Sequence, residues 1–131
     1  MIVPSQEEHQ PPEGVRPQTA QRARDMTRAF FSAIAAHGRD EMDAALLVVS
    51  ELVTNAIQHA GGVTAFRLSA SQDTVTVSVQ DASRAAPQSR ASNPGTPGGF
   101  GWPLIQALAA DVRIRIGPGG KAVSAVLPLP H

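Results

Sequence analysis

Glu51 and Asn55 stand four positions apart in a segment of helical periodicity, and they form the first candidate for chemistry. A helix places side chains at this spacing one turn apart on the same side. An amide oxygen can help to hold a hard cation such as Mg2+, and a carboxylate one turn away can accept a proton or order a water molecule. The same spacing is typical of the solvated face of an amphipathic helix, so periodicity alone leaves both interpretations open.

Two further candidates lie where predicted elements begin or end. Asp81 ends an alternating segment, where its carboxylate could accept a hydrogen bond from an amino group of a planar ligand or cap a turn. Gly98, Gly99 and Gly101 lead into a helical segment, where backbone N–H groups and the helix dipole favour phosphate. A flexible linker has the same composition, and the sequence contains neither the dinucleotide-binding glycine fingerprint nor a Walker A motif.

Hydrophobic periodicity predicts two helices in the first half of the chain, and these must position the first candidate. The first helix begins at Thr19. The second spans 40–60, a range without Gly or Pro, and places Val49, Val53 and Ile57 among others on one apolar stripe. Glu51 and Asn55 therefore belong to the helix that the sequence predicts most clearly.

After the second helix the pattern changes to a period of two, which is typical of strands. The segment 82–101 holds three Pro and four Gly and is predicted to be a lid or a disordered loop. The order of these helices and strands along the chain predicts an α+β fold. We expect a two-layer α/β sandwich with helices on one face of a mixed, mostly antiparallel sheet. The elements after the second helix are strands near 63–68 and 75–79, a helix over 102–110, and strands near 112–116 and 123–127.

Length and composition restrict the classes of function. The 131 residues fit one domain, predicted over 18–131 behind an irregular N-terminal arm over 1–17. Eleven Lys and Arg balance eleven Asp and Glu, which argues against a nucleic-acid or anionic-membrane surface as the main role. The lack of Cys excludes disulfides and cysteine nucleophiles. No window of about 18 apolar residues predicts a membrane span, and the first residues lack a signal-peptide pattern, so we expect a cytoplasmic protein.

Taken together, the three candidates resemble the motifs of the GHKL ATPase superfamily, in its small branch of anti-sigma factors and serine kinases. The segment SELVTNAIQHA resembles the N box, DASRAAP resembles the first glycine box, and GGFGWPLIQAL resembles the second. The ending GPGGKAVSAVLPLP is similar to the closing hairpin of that branch. The resemblance covers most of the chain and implies the Bergerat-type ATP-binding fold of a histidine-kinase-like ATPase domain.

The resemblance also implies roles for individual residues. Asn55 would coordinate the Mg2+ that bridges the ATP phosphates, and Glu51 would be the general base that takes the proton from an attacking serine hydroxyl. Asp81 would bind the adenine amino group. The other residues of the implied cofactor site are Ser83, Gly99, Gly101 and Trp102.

Three residues depart from the pattern of that branch. Trp102 and Pro103 follow the last Gly of the second box, where Leu is usual. Ala122 stands where members of the branch commonly have Thr, whose hydroxyl supports the adenine-contacting network. We therefore expect the missing hydroxyl to weaken nucleotide binding, by about the 1 kcal/mol of one neutral hydrogen bond.

The resemblance favours an ATP-dependent serine kinase that phosphorylates an anti-anti-sigma partner with a STAS domain and alternatively captures a sigma factor. Dimerisation through the first helix is implied in the same way. The main alternative is a catalytically degenerate binding module that keeps the fold and acts by holding a partner. A detached sensor-kinase domain would need a His followed by an acidic residue, and neither His9-Gln10 nor His37-Gly38 fits.

Overall fold

The computed structural model contains the predicted succession of helices and strands. It describes residues 8–9, 16–34, 38–84 and 101–129. Gly98 and Gly99, with most of the predicted lid, lie outside the described residues. The described helices are α1 (Ala20–Ala33), α2 (Arg39–Ala60) and α3 (Gly101–Leu108). The described strands are β1 (Glu8–His9), β2 (Val63–Ala70), β3 (Thr74–Asp81), β4 (Asp111–Gly117) and β5 (Gly120–Pro128).

The described strands form one sheet in the order β1-β2-β3-β5-β4. Every neighbouring pair is antiparallel, so the prediction of a mostly antiparallel sheet is confirmed. The expected mixed character is not found among these strands, since none of their pairs is parallel. β1 falls within the arm that was predicted to be irregular, where Glu8 pairs with Ser69 and His9 with Leu68.

The helices pack on one face of the sheet, as the predicted two-layer α+β sandwich requires. α2 lies across β2, β3 and β5, α1 packs along α2, and α3 contacts both α2 and β4. The main core is where α2 meets the sheet. Its buried side chains include Val48, Val49, Leu52, Val53, Val75, Val77, Val79, Val123, Ala125 and Leu127.

Local capping fixes where the helices begin and end. Thr19 is the N-cap of α1, and its Oγ1 accepts a hydrogen bond from the N–H of Arg22 at 3.0 Å, which satisfies one of the free donors of the first turn. α2 ends at Gly61, whose φ of 77° is left-handed and favours glycine. The N–H of Gly62 then donates to the carbonyl of Ala56 at 3.0 Å, which turns the chain into β2.

The sheet face opposite the helices is polar. On β3, Thr76, Ser78 and Gln80 alternate with the buried valines. The hydroxyls of Ser78 and Ser124 form a hydrogen bond of 3.0 Å across β3 and β5, and the side chain of Ala122 lines this same face. Since no described element covers it, the polar face is open among the described residues, and the core lies entirely on the helix side.

Candidate functional site

α2 places Glu51 and Asn55 at the border of its buried stripe. Both side chains are half-buried, while the neighbouring Leu52, Val53 and Ala56 are fully or almost fully buried against the sheet. The two polar groups thus lie one turn apart on one side of the helix, as predicted, and neither is a fully solvated surface residue. This placement favours the functional interpretation over that of a solvated helix face.

The environment of Glu51 changes its proton affinity. Partial burial removes water from around the carboxylate and raises the pKa of Glu51 above its ordinary value. A carboxylate with a raised pKa is a stronger base near neutral pH than an ordinary one. The helix therefore presents a proton acceptor and, one turn further on, an amide oxygen.

Asp81 is the last residue of β3 and is 3% exposed on the helix side of the sheet. Its Oδ1 accepts a hydrogen bond of 2.9 Å from the N–H of Ser83, so the carboxylate caps the turn that leaves the strand. The turn-capping interpretation is therefore correct, and it uses one of the two carboxylate oxygens. It does not exclude a ligand, because an ionised carboxylate offers about four lone-pair sites.

Lys121 is the partner of Asp81 that the sequence reasoning missed. The two residues lie directly opposite each other in β3 and β5, and Lys121 Nζ donates to Asp81 Oδ2 at 2.7 Å. Their side chains are 7% and 5% exposed. The sequence carries a signal for it, because Lys121 begins the core-facing row of β5 that continues with Val123, Ala125 and Leu127, and a lysine in such a row needs a buried partner.

The structure places Ala122 away from Asp81. Its side chain lies on the open face of the sheet, whereas Asp81 lies on the helix face, because neighbouring residues of a strand point to opposite sides. A hydroxyl at position 122 would therefore not reach the Asp81 carboxylate. In the described part of the closing hairpin, the side chain that bonds to the Asp81 carboxylate is that of Lys121.

The closing hairpin also packs directly on the backbone of Asp81. Gly120 has a φ of 136°, and a Cβ at this position would collide with the carbonyl oxygen of Asp81 and the Cα of Ala82. Only glycine combines that backbone conformation with so close an approach. Gly120 therefore lets Lys121 follow at the right position to meet Asp81.

α3 carries the described part of the second glycine box. Gly101 is its first residue, and the half-buried Trp102 packs against the core cluster. Ile105 is fully buried and anchors the helix. A nucleotide contact of Ser83, Gly101 or Trp102 stays a prediction, and Gly99 lies outside the described residues.

The structure thus collects the predicted residues into two groups on packed elements. Asp81 contacts both Ser83 and Lys121 at the end of β3 and the start of β5. Glu51 and Asn55 share one side of α2, which packs against β3 and β5. None of the helices in the described ranges has the length and hydrophobicity of a membrane span.

The model of the histidine kinase-like ATPase domain family matches residues 15–127. This match covers most of the chain, and the chain belongs to that family. The family is described as an ATPase domain, which implies that its members bind ATP. No curated protein matches the chain.

Several solved structures share the fold, among them the following two. One is the crystal structure of the RsbU and RsbW domains of Rv1364c from Mycobacterium tuberculosis, with a TM-score of 0.58 and 23% identity over 84% of this chain. The other is the blue-light activated histidine kinase EL346 from Erythrobacter litoralis, with a TM-score of 0.52 and 24% identity over 86% of this chain. The chain spans 29% of the first protein and 42% of the second. These likenesses confirm the predicted ATPase fold.

The residues present fit an adenine nucleotide and a divalent cation. Asp81 supplies a buried carboxylate at the end of a strand, and the described residues use two of its about four acceptor sites, which suits an exocyclic amino group. Asn55 supplies an amide oxygen, the kind of ligand that Mg2+ accepts beside phosphate oxygens and water. A half-buried Glu51 one turn away completes the set with a proton acceptor.

Proposed function

We propose that the chain is an ATP-dependent protein kinase of the anti-sigma type, which phosphorylates a serine on a STAS-domain anti-anti-sigma partner. The observation that carries this proposal is the Glu51–Asn55 pair. Both side chains are half-buried on one side of α2, and burial raises the pKa of the Glu51 carboxyl. A module that only held a partner would have no use for a base of raised proton affinity beside an amide oxygen.

In this mechanism the chain positions two oxygens and moves one proton. Asn55 would hold Mg2+ through its amide oxygen, and the bound ion would neutralise charge on the phosphates. The Glu51 carboxylate takes the proton of the serine hydroxyl, and the serine oxygen forms its bond to the γ-phosphorus while the bond to the departing ADP breaks. Asp81 accepts a hydrogen bond from the amino group of adenine and orients the base. Positioning and charge neutralisation supply most of the rate enhancement.

The fold shared with the RsbW domain of Rv1364c supports a role in partner switching. In the proposed system, the partner would be a STAS-domain protein, with a sigma factor as a second protein to be captured and a homodimer as the working unit in the cytoplasm. Phosphorylation of the STAS-domain partner would decide which of the two proteins the kinase holds.

The ion pair at Asp81, the residue proposed to bind adenine, is the observation behind a second candidate function. Lys121 already occupies Oδ2 of Asp81 in a buried pair, so the carboxylate proposed to recognise adenine is not free of partners. If Lys121 stays on Asp81 and excludes adenine, the chain is a binding module that keeps the ATPase fold and acts by holding a partner. The two candidates differ in whether phosphate is transferred.

The test is transfer of labelled γ-phosphate from Mg-ATP to purified STAS-domain proteins of the same genome. We expect wild-type protein to label a serine, and Glu51→Gln to lower the rate by about 10²–10⁴-fold, the usual contribution of a general base. Glu41→Gln makes the same chemical change in the first turn of α2 and should leave the rate unchanged.

Two outcomes would contradict the kinase. Transfer by Glu51→Gln at the wild-type rate would remove the base from the mechanism. Binding of a STAS-domain protein without any labelling, while Mg-ATP binds, would establish the binding module instead.

A further inference from the structure

Lys121 is the sole lysine of a chain that has ten arginines, and it lies in the most buried ion pair of the described residues. An ammonium group has three N–H donors, and among the described residues Lys121 donates one hydrogen bond, to Asp81 Oδ2. In the same part of the chain, Asp81 accepts two hydrogen bonds, from Lys121 and from the N–H of Ser83. The buried pair therefore retains both donor and acceptor capacity.

A buried ion pair is costly to retain for stability alone. Removing two charges from water costs several kcal/mol per ion, and a well-packed apolar pair of similar volume is often as stable or more stable. The rest of this row of β5 is apolar, with Val123, Ala125 and Leu127 buried. The row would accept an apolar residue at position 121, so the ion pair points to a role beyond packing.

The surface beside the pair is apolar and accessible. Ile116 lies directly opposite Lys121 in the β4–β5 pairing, so the two side chains share the helix face of the sheet. Ile116 is 45% exposed, and Ile114, two residues before it on the same face, is 39% exposed. This apolar surface lies beside a hydrogen-bond donor, the Lys121 ammonium, and an acceptor, the Asp81 carboxylate. Such a combination suits a planar ligand that has apolar faces and a polar edge.

Adenine has such an edge. Its exocyclic amino group is a donor, and the ring nitrogen N1 beside it is an acceptor. We propose that Lys121 reads the base, donating a hydrogen bond to N1 of adenine while Asp81 accepts one from the neighbouring amino group. This inference rests on the proposed function, because it requires the adenine nucleotide that the fold implies. Lys121 would then recognise the ring nitrogen and Asp81 the amino group, so the ion pair would form two hydrogen bonds to the base.

The test compares binding of ATP with binding of 1-deaza-ATP, which keeps the amino group and carries C–H in place of N1. Calorimetry in Mg2+ is performed on wild-type protein, Lys121→Met and Arg115→Met. Arg115→Met is the control for a lost cation, since Arg115 is exposed on the open face opposite Ala122. Wild type and Arg115→Met should bind 1-deaza-ATP about ten- to hundredfold more weakly than ATP, as for loss of one charge-assisted hydrogen bond.

Lys121→Met should bind ATP more weakly by a similar factor and should no longer distinguish the two nucleotides. A second readout needs no variant. With 15N-labelled lysine, wild-type protein has one side-chain ammonium signal, which should shift with ATP and shift less with 1-deaza-ATP.

The inference is overturned if wild type and Lys121→Met discriminate equally between ATP and 1-deaza-ATP, or if the ammonium signal responds alike to both nucleotides. It is also overturned if Lys121→Met binds ATP more tightly than wild type, because Lys121 would then hinder nucleotide binding. These outcomes leave ATP binding intact and so contradict only the role of Lys121. If wild-type protein binds no nucleotide, the proposed kinase fails together with the inference.

Discussion

Lys121 lies directly opposite Asp81 across β3 and β5, and its Nζ donates to Asp81 Oδ2 at 2.7 Å with both side chains buried. The other two ion pairs among the described residues, Arg28–Asp25 and Arg113–Asp111, are at the surface. The carboxylate that would recognise adenine is thus also part of the one deeply buried ion pair of the described structure. A change at Asp81 is therefore expected to affect both the stability of the protein and its recognition of adenine.

We expect Asp81→Asn to destabilise the protein strongly. Asparagine keeps an oxygen for the N–H of Ser83 but leaves the buried ammonium of Lys121 without its counter-charge. Breaking a buried pair from one side costs about 3–5 kcal/mol, which urea denaturation would measure. Asp81→Asn combined with Lys121→Met should recover a large part of that loss, since no unpaired charge is then buried.

The matched control for this change is Asp111→Asn, which breaks the exposed pair with Arg113. Exposed pairs contribute less than about 1 kcal/mol, so this variant should unfold close to wild type. Equal losses for Asp81→Asn and Asp111→Asn would show that the buried pair adds nothing special to stability.

Gly120→Ala should also be destabilising, by more than about 1 kcal/mol. The left-handed φ of 136° strains any other residue, and the added Cβ would collide with the Asp81 carbonyl oxygen. Gly119→Ala is the control, because a Cβ at Gly119 meets nothing within 4 Å. Thermal unfolding of both variants measures the difference, and a Gly120→Ala protein as stable as Gly119→Ala would contradict the close approach of hairpin and strand.

The raised pKa of Glu51 predicts a pH dependence of stability. A carboxyl whose folded-state pKa is raised holds its proton more tightly when folded, so stability falls as pH rises from the unfolded-state pKa through the folded-state value. Glu51→Gln removes this penalty. Its melting temperature should exceed that of wild type at pH 7, and the gain should disappear below the unfolded-state pKa of Glu, about 4.3. A gain that is the same at pH 3.5 and pH 7 would exclude desolvation of Glu51 as the cause.

The sequence predicted the layer architecture because its elements carry clean periodicities. Helical spacing from Thr19 and over 40–60 predicted α1 and α2. Alternation around Val75, Val77 and Val79 predicted β3, and these side chains are buried as expected. The local pattern is enough to predict these elements because apolar residues recur with a period of about 3.6 in helices and of 2 in strands.

Positions where one element meets another were harder to predict. The predicted apolar stripe of α2 contained Ile57, which is 36% exposed, while Val48 is fully buried. The exact rotation of a helix on a sheet depends on packing across elements, which the helix's own sequence does not contain. The short strand at Glu8–His9 likewise depends on pairing with β2, far away in the chain.

The same reason explains the missed site residue. Asp81 and Lys121 are separated by 40 positions, and only the register of β3 with β5 brings them opposite each other. The sequence motifs identified Asp81 but assigned the hairpin's role to Ala122, one residue along and therefore on the other face. A shift of one residue in a strand exchanges the two faces of a sheet.

The central claim is that the chain binds Mg-ATP and that Asn55 is a ligand of the Mg2+. The most direct test is a calorimetric titration with ATP and ADP, with and without Mg2+. The proteins are wild type, Asn55→Ala and, as a control, Gln80→Ala, which removes an exposed carboxamide on the open face of the sheet. We predict magnesium-dependent binding by wild type and Gln80→Ala, and its loss in Asn55→Ala. Equal magnesium-dependent binding by Asn55→Ala, or no binding by wild type at millimolar nucleotide, would contradict the account.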